Sequence, residues 1–123
     1  NHEYLSKDGI LFSNDESTLI KFPSGKSDTF YIIPDGVISI ESSAFKDCIN
    51  LNSIEMHDKV VSIGDSAFYG CTNLASITIP DSVVSIRDFA FSDCISLTSI
   101  AIPKSLISIA YSTALSISSL ASM

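Results

Sequence analysis

Displaced by 23 positions, this chain falls back onto itself. Phe45, Phe68 and Phe91 coincide, and with them Ala44, Ala67 and Ala90, then Cys48, Cys71 and Cys94, Leu51, Leu74 and Leu97, and Ile54, Ile77 and Ile100. Two further columns keep the register: Ile40, Ile63, Ile86 and Ile109, and Ile33, Met56, Ile79 and Ile102. A unit this short cannot enclose its own apolar side. Self-similarity at such a period therefore means a solenoid, whose successive coils cover one another and share one elongated core. The 123 residues then make a single domain.

Apolar residues form 46% of the chain and tryptophan is absent, so that core has to be tiled from many Ile, Leu, Val and Phe side chains. The 14 acidic residues against 7 basic ones give a formal charge of -7. This removes the electrostatic basis for nucleic-acid binding or attraction to anionic lipid, and a charged partner is expected to be basic. Serine replaces much of the usual Lys and Glu, leaving an uncharged polar surface suited to contact with another protein or a glycan. The three cysteines are odd in number and share one repeat phase, which does not fit a disulfide framework. Without a CxxC or a neighbouring His pair, they read as small apolar core residues.

Within a coil, Leu74-x-x-Ile77-x-Ile79 has the spacing of a short strand entered from a turn, with Ile77 and Ile79 on one face. Leu51-x-x-Ile54-x-Met56 and Leu97-x-x-Ile100-x-Ile102 repeat it, and Asp28 to Ile33 is a variant with Tyr31 and Ile33 inward. Proline ends three of these strands at Pro34, Pro80 and Pro103, with His57 in its place in the second coil. A second apolar pair, Val83-x-x-Ile86, follows. Ala90, Phe91 and Cys94 then have the spacing of one side of a short helical turn.

The N-terminal stretch departs from this phase. Two β-rich runs, Ile10-Leu11-Phe12 and Thr18-Leu19-Ile20-Lys21-Phe22, flank the turn cluster Ser13 to Ser17 and predict a hairpin. The expected organisation is a hairpin cap over residues 1–27, closing an otherwise open end, and about four coils over residues 28–123. In the last coil Thr113, Ala114 and Ile117 stand where Ala, Phe and Cys would, so it is expected to be degenerate. The uncharged run Ser105 to Met123 contains seven serines in 19 residues and is read as part of that coil, not as a membrane segment. Because the first residue is Asn1, the sequence is expected to be a processed form or an excerpt.

The unit Ile-Pro-x-x-Val-x-x-Ile-x-x-x-Ala-Phe-x-x-Cys-x-x-Leu-x-x-Ile-x closely resembles the 23-residue leucine-rich repeat of the BspA-like type. The resemblance covers Asp28 to about Ile109, and the segment Asp8 to Lys26 is similar to a hairpin insert of bacterial members. It implies an α/β repeat fold: a leucine-rich-repeat solenoid with a parallel β-sheet on the concave face and short helical turns on the convex side. It also implies a non-enzymatic recognition or adhesion protein, cell-surface or secreted. The positions of the usual asparagine ladder are Gly36, Lys59, Ser82 and Ser105, so turn groups are expected to be satisfied by neighbouring coils or water.

If the aliphatic strand residues point inward, those between them point out, as Phe30, Ile32, Ser53, Glu55, His57, Ser76, Thr78 and Ser99. This face is the expected binding surface for a protein or glycan, including a host or matrix component, with Phe30 and Ile32 as apolar anchors. The alternative is that the N-terminal hairpin packs over those two. Glu55 and His57 supply only two potential metal ligands, and no nucleophile elbow or phosphate loop occurs. No catalytic site, metal or cofactor is expected. A second reading is a structural segment that self-associates through its ends, including a homodimer through the C-terminal coil.

Overall fold

The computed structural model describes residues 4–97, Ile100, Pro103 and the strand Ser108–Ile109. The chain winds in coils of 23 residues, and the coils spanning residues 30–86 each contribute one strand to each of two sheets. Three-residue strands β4 (Phe30–Ile32) and β6 (Ser53–Glu55) and two-residue β8 (Ser76–Ile77) form a parallel three-stranded sheet. The Ser-Ile pairs β5 (Ser39–Ile40), β7 (Ser62–Ile63), β9 (Ser85–Ile86) and β10 (Ser108–Ile109) stack in parallel as part of a second sheet. Pairing keeps like opposite like, Ser39 against Ser62 against Ser85, so every inward residue falls into a column. That second sheet is the Val-x-x-Ile segment of the sequence, where only an apolar pair was expected.

Three antiparallel strands precede the coils: β1 (Tyr4–Lys7), β2 (Ile10–Ser13) and β3 (Thr18–Lys21). The turn between β2 and β3 is held by Asp15, whose Oδ1 accepts from the Ser17 amide at 3.0 Å and from the hydroxyls of Ser13 and Ser17 at 2.8 and 2.7 Å. Strand β3 then pairs in parallel with β5, Leu19 opposite Ile40, so the second sheet runs unbroken through seven strands from β1 to β10. The hairpin is thereby joined to the array by a backbone ladder. Phe22 extends the phenylalanine column by one coil, and Lys26 bridges Asp8 of the β1–β2 turn and Asp28 at 3.1 and 2.9 Å.

The core is those columns. Phe22, Phe45, Phe68 and Phe91 stack ring on ring with centroids 5.3, 5.1 and 5.3 Å apart. Tyr31 meets Phe22 edge-on at 5.0 Å, and the aliphatic columns fill the remaining interior. Ring spacing close to the strand spacing of about 4.7 to 4.9 Å lets one residue type satisfy both backbone ladder and core.

The expected helical turns are replaced. Among the described residues there is no helix: the third wall is a succession of turns. In it Ala44, Lys46 and Cys48 donate within their own coil to Glu41, Ser43 and Phe45, while Ser43, Phe45 and Asp47 donate to Asp65, Ala67 and Tyr69 of the next. Positive φ at Ser43 (61°) and Asp47 (59°), repeated at Ser66 and Gly70 and at Phe89 and Asp93, breaks the helical run and aims every other N–H along the solenoid axis. Short helices leave their terminal N–H groups without partners; this ribbon gives alternate ones to the adjoining coil.

The cysteines take part in the same wall. Their thiols, at positions 48, 71 and 94, donate to the carbonyls of Phe22, Phe45 and Phe68 at 3.5, 3.1 and 3.0 Å. Each is buried, and burial pushes the Cys48 thiol up to about 12. Contact with the Cys94 thiol, reinforced by burial, likewise raises Cys71. The three sulfurs are packing residues with one polar task, tying each coil to the one before.

Candidate recognition surface

In the three-stranded sheet, Phe30, Ser53 and Ser76 stand side by side in register, and Ile32 stands beside Glu55. Their in-between neighbours Ile54 and Ile77 are buried, and Tyr31 half so; alternation therefore turns the former residues outward. A shallow depression of about 440 Å³ lies on this sheet, lined by Phe30, Ser53, Glu55, Ser76 and Thr78 with Met56 at its margin. The hairpin does not cover the apolar pair: Phe30 is 48% and Ile32 55% exposed.

Not every expected residue joins this surface. Ile32 lies outside the depression at the same end. His57 follows β6 and serves the turn: its Nδ1 accepts from the Lys59 amide at 3.1 Å, leaving Nε2 to donate to the Pro34 carbonyl at 2.8 Å. An imidazole so engaged takes the place of the proline that stands at this phase in other coils. Ser99 lies outside the described residues, as does the C-terminal coil invoked for a homodimer contact. Among the described residues no group of three or more His, Cys, Asp or Glu is placed to hold a metal ion, and no helix is long and apolar enough to cross a membrane.

Several surface features were not anticipated. Asn50, Asn73 and Ser96, again 23 apart, reach back to the carbonyls of Lys26, Ile49 and Thr72 at 3.0, 2.7 and 2.7 Å. This side-chain ladder sits at the corner before the three-stranded sheet, not at the expected phase of Gly36, Lys59 and Ser82. At that expected position, Ser82 Oγ donates to the Val60 carbonyl at 2.7 Å. On the seven-stranded sheet, Ser39, Ser62 and Ser85 line a groove of about 350 Å³ with Glu41, Asp65 and Arg87. Beside it Ile38, Val61 and Val84 make an exposed apolar column. The signal for each was available: the 23-residue phase applies to polar and outward residues as strictly as to inward ones.

Stacked parallel strands in two sheets, filled by columns of Phe, Cys, Leu and Ile, define a leucine-rich-repeat solenoid. The BspA type leucine-rich repeat region matches residues 12–123 in six copies, and the chain belongs to that family. Among solved structures it is similar to the pneumococcal vaccine antigen PcpA, with 30% identity, a TM-score of 0.85 and coverage of 89% of this chain and 27% of that one. It is similar also to a leucine-rich repeat protein of T. pallidum (32% identity, TM-score 0.71, covering 81% and 49%) and to a leucine-rich cell surface protein of Faecalibacterium prausnitzii (34%, 0.67, covering 98% and 39%). The chain thus spans less than half the length of each. Among curated proteins nothing matches.

Proposed function

We propose that this chain is a non-enzymatic recognition module of a cell-surface or secreted leucine-rich repeat protein, binding a protein or glycan on its three-stranded sheet. The observation that carries this reading is the exposed pair Phe30 and Ile32 at the end of a sheet whose other outward residues, Ser53, Glu55, Ser76 and Thr78, are polar. Large, ordered apolar side chains ringed by polar ones are the usual composition of a binding hot spot. Family membership supports the class of function, and the description of the F. prausnitzii relative as a cell surface protein supports the location. The test is a screen against extracellular-matrix proteins and glycans, comparing the wild type with a Phe30→Ala/Ile32→Ser variant and with a Lys46→Ala/Tyr69→Ala variant on the turn wall. Loss of binding in the first variant alone is expected; equal loss in both removes the assignment to this sheet.

A further inference from the structure

Strand β4 is an edge: among the described residues it pairs with β6 alone. Register decides which of its backbone groups that pairing uses. Phe30 lies opposite Ser53 and Ile32 opposite Glu55, and the bonds around them run from the Ser53 N–H to the Thr29 carbonyl at 3.3 Å and from the Ile33 N–H to the Glu55 carbonyl at 2.9 Å. Bonds in a parallel ladder alternate along each strand. Thr29, Tyr31 and Ile33 therefore face β6, while Phe30 and Ile32 turn their N–H and C=O groups the other way. Two donors and two acceptors line an open edge, flanked by the two exposed apolar side chains of this sheet.

Proteins ordinarily blunt such an edge with a charge, a proline or a covering loop. Here the edge residues are Phe and Ile. The surroundings are acidic: Asp28 and Asp35 bracket the strand, Glu55 is exposed beside Ile32, and Asp8 shares Lys26 with Asp28. A second copy would bring these carboxylates, on a chain of formal charge -7, against themselves.

We propose that β4 is completed by an extended, basic-flanked segment of a partner protein that adds to the three-stranded sheet as a fourth strand. Its backbone pairs with Phe30 and Ile32, its outward apolar residues lie against their side chains, and Lys or Arg at its ends meets Asp28, Asp35 and Glu55. Main-chain bonds supply affinity and alternate side chains supply specificity. The inference rests on the recognition reading and specifies its partner.

The probe is a capped ten-residue peptide of alternating valine and threonine with two lysines at each end, titrated into the protein while amide exchange is followed by NMR. Binding is expected to protect the Phe30 and Ile32 amides. Ile32→Pro removes one outward donor and leaves the β4–β6 ladder intact; it is expected to weaken binding about tenfold, as is N-methylation of alternate peptide residues on one edge. Replacing the four lysines by glutamates is expected to abolish binding. The Asn73→Ala variant controls for general loosening of the array and should bind as wild type. Failure of the lysine peptide to bind overturns the proposal, and so does binding indifferent to both Ile32→Pro and N-methylation. A free protein that dimerises through β4, with Ile32→Pro restoring the monomer, overturns it in favour of a second copy. The matrix and glycan screen with Phe30→Ala/Ile32→Ser reads the sheet face independently, so failure of the edge and failure of the face are told apart.

Discussion

Phe68→Ala tests the stacked core most directly. Phe68 is fully buried between Phe45 and Phe91, with ring centroids 5.1 and 5.3 Å away. Truncating a buried phenylalanine costs about 3 to 5 kcal/mol, the upper end applying where the site cannot collapse. Collapse is prevented here because the coils are held apart by backbone bonds on either side of the ring, Phe45 N–H to Ala67 C=O at 2.7 Å and Phe68 N–H to Ala90 C=O at 2.8 Å. The two stacking contacts, each about 0.5 to 1.5 kcal/mol beyond area burial, are part of that cost and place it toward its upper end. The expected loss is therefore about 4 to 5 kcal/mol, a large part of the about 5 to 15 kcal/mol available to a domain. Urea unfolding followed by far-UV circular dichroism measures it, and an m-value of about 2 kcal/mol per molar makes the midpoint fall by about 2 M. Phe89→Ala is the control, since Phe89 is 49% exposed; its cost should stay below about 1 kcal/mol. A loss at Phe68 under about 2 kcal/mol, or one equal to that of Phe89→Ala, refutes the claim that the phenylalanine column holds the coils together.

Other outcomes follow from single contacts. A Cβ on Gly64 would lie 2.7 Å from the Ser42 amide nitrogen and 2.9 Å from the Glu41 carbonyl carbon, so Gly64→Ala forces two coils apart; the expected cost is about 1 to 3 kcal/mol by thermal or urea unfolding. Phe89 has φ of 59°, a left-handed conformation that glycine adopts without strain, and Phe89→Gly should raise stability by about 0.5 to 1 kcal/mol in the same assay. Cys48 and Tyr31 are both pushed up to about 12 by burial, from ordinary values of 9.0 and 10.0. The folded chain therefore holds protons that the unfolded chain releases. Their contribution is full below pH 9.0 and is lost as the pH rises toward about 12, so unfolding midpoints should fall through that window and fall less steeply in Cys48→Ala. For the same reason Cys48 and Cys71 should resist a thiol reagent at pH 8 and react once the chain is unfolded.

What the sequence determined by itself is the stacking. A period of 23 with Phe, Cys, Leu and Ile in fixed phase permits one solution to the burial of an apolar side, and the columns Phe45–Phe68–Phe91 and Leu51–Leu74 are buried as that period requires. Phe30 and Ile32 were legible as outward because alternation along a strand needs no knowledge of its neighbours. The rest depended on which neighbour each backbone group meets. Spacing of Ala90, Phe91 and Cys94 suits a helical turn, but at this phase positive φ at Ser43 and Asp47, and at Ser66 and Gly70, sends alternate N–H groups across to the next coil, where a bond inside a helix would have kept them at home. Likewise β3 reads as one arm of a hairpin, and only the juxtaposition of Leu19 with Ile40 makes it the strand through which the hairpin joins the coils. His57 read as an outward polar residue until the carbonyl of Pro34, 23 positions earlier, came within 2.8 Å of its ring. Periodicity fixes what is inside because burial depends on residue type and phase; hydrogen-bond partners lie on other coils, and tertiary structure alone brings them within reach.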